Sequence, residues 1–140
     1  MDKKRRSIIL AIVLTLSIIF SYLGYSSIVG DSSQNEMKVA YQVAETCRQL
    51  CLYAKDILSQ QNRSLSSECL SEIPSLITYW HYSDWVCDVV HVPRSPEDNL
   101  PENQCKKFRK GLVKNFVEVD QNCTIVRIYY NGYFIEDITS

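Results

Sequence analysis

Between Lys3-Lys4-Arg5-Arg6 and Asp31 the chain carries no Asp, Glu, Lys, Arg or His, and this charge-free run constrains the fold more than any other feature. Residues 8–20 are almost unbroken Ile, Leu, Val and Ala, and Tyr22-Leu23-Gly24-Tyr25 follows. A helix rises about 1.5 Å per residue and a bilayer's hydrocarbon core is roughly 30 Å thick, so about 20 apolar residues suffice to cross it. The run therefore predicts a transmembrane helix, a signal anchor over residues 7–30 with the lipid bilayer as its partner. Cationic clusters stay on the cytoplasmic side, which makes residues 1–6 a cytoplasmic basic N-terminus and residues 31–140 an extracytoplasmic domain. The expected location is the cell membrane, in a single pass. A cleaved signal peptide is the competing reading, with Gly24 and Ser26 as a small-x-small site, but the uncharged run continues through Ile28-Val29. Both readings export the remainder.

Beyond residue 30 about 110 residues remain, one domain's worth with a modest core. Of 15 Lys and Arg, four lie at the N-terminus, and of 16 Asp and Glu only Asp2 does, leaving 11 against 15 and a net charge near −4. That balance argues against nucleic acid as a partner.

All six cysteines, Cys47, Cys51, Cys69, Cys87, Cys105 and Cys123, fall in the exported part, where thiols are oxidised and stay so. Three disulfides are expected, each worth roughly 2–4 kcal/mol to a small domain. Cys47 and Cys51 are four apart on a helical pattern, so they share a face and each should reach a different partner. Among the pairings left open, Cys51 with Cys69 is the preferred guess, stapling the helix end to the loop returning from it. A metal centre is the sharper alternative, since Cys87 and His91 are four apart with His81 upstream. The scattered single cysteines lack the paired modules of zinc sites, and Cys47-Arg48-Gln49-Leu50-Cys51 has one residue too many for a redox Cys-x-x-Cys.

The pattern over residues 34–60 is helical: Met37, Ala40, Tyr41, Ala44, Cys47, Cys51, Ala54 and Leu58 recur at three and four. Asp31, Ser32 and Ser33 are placed to cap a new helix at a junction with the apolar run. Residues 65–73 form at most a short helix or loop. Residues 77–81 and 85–92 carry aromatic and β-branched strand signals separated by Ser83-Asp84. Pro101 opens a short helix to about Lys110, with Gly111 as its stop. Residues 116–119, 124–130 and 133–138 then read as a meander, and Asn131-Gly132 is a strong hairpin signal. The predicted class is α+β: a long amphipathic helix packed on an antiparallel β-meander of three to five strands, stapled by disulfides.

Trp85-Val86-Cys87-Asp88, Asn99-Leu100-Pro101-Glu102-Asn103-Gln104-Cys105, Phe116-Val117-Glu118-Val119-Asp120 and Asn122-Cys123 resemble blocks in a group of short archaeal membrane-anchored proteins with no assigned activity. The resemblance implies export and a cysteine-bearing domain. In plan, a hydrophobic N-terminal helix, an amphipathic continuation and a C-terminal sheet are similar to type IV pilin-like proteins. Prepilins typically carry Gly after the basic residues and an early Glu, whereas here Arg6 is followed by Ser7 and no acid precedes Asp31.

No catalytic, cofactor-binding or metal-ligating set is predicted. Ser83, His91 and Asp88 are the nearest approach to a nucleophilic triad, without a Gly-x-Ser-x-Gly elbow. Asp84, Asp88, Glu97, Asp98 and Glu102 read as a solvated acidic rim, and Lys106-Lys107-Phe108-Arg109-Lys110 as the outer face of a short helix. Asn62-Arg63-Ser64 and Asn122-Cys123-Thr124 make Asn62 and Asn122 glycosylation candidates. The expected role is an anchored binding, adhesion or envelope-structural domain, with a protein partner or self-assembly. A pilin-like subunit of a surface filament or secretion-type assembly is the alternative, and a small secreted hydrolase the third.

Overall fold

The computed structural model describes residues 3–135, with side chains described for 12–25 and 34–135. The chain forms two compact units, Met1–Lys38 and Val39–Ser140. Helix α1 is Lys3–Gln60, so the expected junction at Gly30-Asp31-Ser32-Ser33 is helical backbone.

In the first unit, Ile12, Val13, Leu14, Leu16, Ile18, Ile19 and Phe20 are all at least half exposed. The hydroxyls of Thr15, Ser17 and Ser21 donate back to the carbonyls of Ile12, Leu14 and Ser17, so they are satisfied within the helix. The expected transmembrane anchor is corrected here: among the described residues, no helix is long and apolar enough to cross a membrane. The apolar side chains described at 12–25 cover about 20 Å at the usual helical rise, short of a hydrocarbon core of roughly 30 Å. The rest of the expected span, 7–11 and 26–30, has side chains outside the described residues.

The second unit is α+β. Strands β1 (Trp85–Val89), β2 (Asn115–Val119), β3 (Ile125–Tyr130) and β4 (Tyr133–Ile135) form one sheet in the order β1-β2-β3-β4. The last two pairings are antiparallel, as expected of the meander, but β1 and β2 run parallel. The sheet is therefore mixed, which corrects the antiparallel expectation. The cause is the connection: residues 90–114 hold a 3₁₀ turn (Pro96–Asn99) and helix α2 (Lys106–Arg109), long enough to carry the chain back beside the start of β1. Residues 77–81 are not a strand. Pro74 starts a turn, Ile77–Tyr79 is a 3₁₀ helix, and the buried pair Leu76 and Trp80 are four apart rather than alternating. The Trp80 indole N–H is anchored on the Trp85 carbonyl at 3.1 Å. At the hairpin between β3 and β4 both Asn131 and Gly132 have positive φ, the conformation expected of that dipeptide.

Alternation along the strands sorts the side chains into two faces. Trp85, Cys87, Val89, Val117, Val119 and Ile128 pack with Ala40, Val43, Ala44, Cys47, Leu50, Cys51 and Ala54 of α1 as the main core. The three alanines leave room for the sheet to approach the helix closely. Val86 joins Cys105 and Val113 in a second, smaller cluster, with Cys69 and Phe116 against it.

Three disulfides hold this arrangement. Cys47–Cys87 joins α1 to β1, Cys51–Cys123 joins α1 to the turn between β2 and β3, and Cys69–Cys105 joins the loop after α1 to the start of α2. Cys47 and Cys51 do take different partners. The guessed Cys51–Cys69 pair is corrected: Cys51 is bridged to Cys123, and Cys69, whose backbone pairs with Asp88 at the edge of β1, is bridged to Cys105.

Candidate functional site

The site follows from sheet register. Asp88 of β1 lies beside Glu118 of β2, and Glu118 lies beside Arg127 of β3, so one cross-strand row places two acids and a cation side by side. Residues two places earlier, Val86 and Phe116, form the adjoining row. Arg94 reaches in from the loop after β1, and Gln104, Cys105 and Phe108 come from the segment leading into α2. Together these groups line a cavity of about 140 Å³.

Its two carboxyls have opposite fates. Glu118, only 5 % exposed, accepts from Arg94 Nη1 at 3.0 Å and from Arg127 Nη2 at 2.9 Å, with a further bond from Arg127 Nε. Arg127 also lies over the rings of Phe116 and Phe134, 5.5 and 5.6 Å from their centroids, which fixes its orientation. Two guanidiniums on one carboxylate are what a buried charge requires. Asp88, 8 % exposed, has no such partner, and its Oδ1 is buried without a hydrogen bond. Burial pushes the Asp88 carboxyl up from 3.8 to about 7; the Glu118 carboxylate adds to the rise and Arg94 opposes it. Near neutrality this acid holds or releases a proton with almost equal ease.

Asp88 also faces sulfur. A carboxylate oxygen of Asp88 and the Sγ atoms of Cys69 and Cys105 all lie within 4.8 Å of one another. Two thiolates and a carboxylate suit a soft divalent cation, but here the sulfurs are bonded to each other and are not available as thiolate ligands. The pair suggested by sequence, Cys87 with His91, is likewise broken up because Cys87 is bridged to Cys47. His81 is exposed, and Ser83 Oγ donates to its neighbour Asp84 Oδ1 at 3.4 Å.

His91 is held by different residues from those expected. Its Nδ1 is 2.8 Å from Asp98 Oδ1 and 3.1 Å from Ser95 Oγ, and its backbone N–H points at both Asp98 oxygens. A nucleophilic triad needs serine and acid on opposite ring nitrogens, whereas Ser95 and Asp98 both approach the same one. Burial opposes ionisation of Asp98, but hydrogen bonds from the His91 ring and from the Ser95 and His91 amides hold its carboxyl at about 2. The cluster is a loop staple, completed by a capping box between Ser95 and Asp98.

Of the acids expected as a solvated rim, Asp84, Glu97 and Glu102 are exposed, while Asp88 and Asp98 are buried for the separate reasons above. Lys106 to Lys110 are exposed on and just after α2, as expected. Asn62 and Asn122 are both exposed, in turns after α1 and β2, and Asn122 adjoins the bridged Cys123. Glu118, Arg94, Arg127 and Gln104 were not anticipated as a site. The available signal was an acid inside each of two otherwise apolar strands, Trp85-Val86-Cys87-Asp88-Val89 and Phe116-Val117-Glu118-Val119.

No protein-family model matches this chain, and neither curated proteins nor solved structures give a match.

Proposed function

We propose that the chain is an exported domain with a binding, adhesion or envelope-structural role and no hydrolytic function. The observation that carries this reading is that all six cysteines are paired, and that the pairs tie α1 to β1, α1 to the β2–β3 turn, and the loop after α1 to α2. Such a framework forms and persists in an oxidising compartment and is rare where glutathione keeps thiols reduced. That the role is not hydrolytic rests on His91, whose Nδ1 is committed to a loop staple, and on His81, which is exposed. The test is intact mass of protein recovered from fractionated cells, alkylated before and after reduction. Six alkyl groups added only after reduction, in an extracytoplasmic fraction, are expected. Cytosolic protein taking six alkyl groups without reduction overturns the proposal.

A second reading, a pilin-like subunit, is favoured by two observations: α1 runs through Gly30-Asp31 as helix, and the apolar side chains at 12–20 are exposed along it. Self-association of that stripe is expected to put the protein in sheared filaments. A discrete small species in mild detergent, with nothing in the sheared fraction, excludes it.

A further inference from the structure

The three disulfides do not share one environment. Cys47, Cys51 and Cys87 are fully buried and Cys123 is 3 % exposed, so neither of the first two bridges has a half-buried sulfur. Cys69 is the one half-buried cysteine of the six, and its partner Cys105 lines the Asp88 cavity. Two proton donors converge on this bridge. Cys87 N–H donates to Ser71 Oγ at 3.1 Å, which leaves the Ser71 hydroxyl proton free to donate to Cys69 Sγ, 3.4 Å away. The second is Asp88, its Oδ1 buried with no hydrogen bond and its carboxyl within 4.8 Å of both sulfurs.

We propose that Cys69–Cys105 is a thiol-exchange site whose substrate is a small external dithiol, with Asp88 as the acid that protonates the departing Cys69 sulfur. The dithiol's thiolate enters the cavity and attacks Cys105 Sγ. A new sulfur–sulfur bond forms to Cys105, the Cys69–Cys105 bond breaks, and its electron pair goes to Cys69. Asp88 gives that sulfur its proton and becomes a carboxylate. The second thiol of the dithiol then gives its proton to the Asp88 carboxylate and displaces Cys105, whose sulfur takes from water the proton that the first thiol had released, so the dithiol leaves as a disulfide, Asp88 is an acid again and the protein holds two thiols. Two electrons and two protons have passed from the dithiol to the protein.

A leaving thiolate is expelled faster when its charge is lowered in the transition state, either by hydrogen bonding or by proton transfer. Ser71 supplies the first and Asp88 the second. The charged groups facing Asp88 are Glu118 from β2, Arg127 from β3, and Arg94 and Asp98 from the loop after β1. On the α2 side, Glu72 accepts the Lys106 and Lys107 amides and is thereby engaged. Glu118 is matched by its arginines, whereas Asp88 Oδ1 is buried with no hydrogen bond.

The test uses the oxidised full chain, dithiothreitol as the dithiol, timed quenching with an alkylating reagent and peptide mass mapping of which bridge has opened. Cys69–Cys105 is expected to open first, at least tenfold faster than the other two bridges. Divided by the reagent's thiolate concentration, its rate is expected to fall as pH rises through about 7, because the donor proton is lost. Asp88→Asn is expected to flatten that profile and slow opening at least tenfold near pH 6. Simultaneous or later opening of Cys69–Cys105 overturns the proposal, as does a thiolate-corrected rate that is constant with pH in the unaltered chain. Both measurements stand without the variant.

Discussion

Asp88→Asn should stabilise the domain in alkaline solution, because the native residue is an acid kept from ionising by its surroundings. In the unfolded chain the carboxyl loses its proton near 3.8, whereas in the folded domain it does so at about 7. Between those values the folded state binds the extra proton, so stability falls as pH rises and levels off once both states are ionised. The full difference is about 4 kcal/mol at 1.36 kcal/mol per pH unit, and the part between about pH 5 and pH 8.5 is about 3 kcal/mol. Asparagine keeps the size and cannot ionise. Urea unfolding of the oxidised chain, followed by circular dichroism at several pH values, reads the effect directly. The native chain should lose about 3 kcal/mol over that range, a midpoint shift of roughly 2 M, relative to the variant. If the two chains keep parallel stability from about pH 5 to pH 8.5, the burial argument for Asp88 is wrong.

Ile128→Ala removes a fully buried side chain between the sheet and α1 and should cost about 2–5 kcal/mol in the same unfolding assay. Asp98→Asn should speed hydrogen exchange of the His91 and Ser95 amides, both of which donate to that carboxylate, while leaving amides in β2 unchanged. With the Asp98 carboxyl held at about 2, the staple's contribution is present above the ordinary aspartate value and is lost as pH falls towards 2; amide exchange in loop 91–98 should rise there. Replacing Cys51 and Cys123 together by alanine opens a link spanning 72 residues and should lower stability by about 4 kcal/mol, read as a lower urea midpoint.

Local signals in the sequence carried furthest where one or two residues decide the backbone. Asn131-Gly132 gave a tight hairpin, and Gly111 ends the segment after α2 with positive φ. The helical stripe at Ala40, Ala44, Cys47, Cys51 and Ala54 is the face that meets the sheet. Long-range choices were not legible. Whether β1 pairs parallel or antiparallel with β2 depends on how residues 90–114 fold back, and no periodicity within β1 encodes that. The candidate site has the same origin. Asp88 reads as a polar residue in a strand, Glu118 as another, and only the register that sets them side by side turns them into a buried pair competing for cations. Arg127 and Arg94 both settle on Glu118, which leaves Asp88 unmatched, an outcome fixed by three-dimensional reach rather than by spacing.

That unmatched acid and the disulfide framework belong to one energetic argument. A domain of this size is expected to be stable by about 5–15 kcal/mol, so an ionisation penalty of about 4 kcal/mol takes a large share of the total. One bridge offsets it, since Cys51–Cys123 alone contributes about as much. The two effects act on different states, the penalty on the native ensemble and the bridge on the unfolded chain, and the sulfurs clustered with Asp88 belong to a different bridge, Cys69–Cys105. They should therefore add. A chain lacking the Cys51–Cys123 bridge is expected to keep its fold near pH 5 and lose most of it near pH 8.5, and adding Asp88→Asn should restore it at the higher pH. Equal loss of structure at both pH values would mean that the bridge supports something other than a domain taxed by its own buried acid.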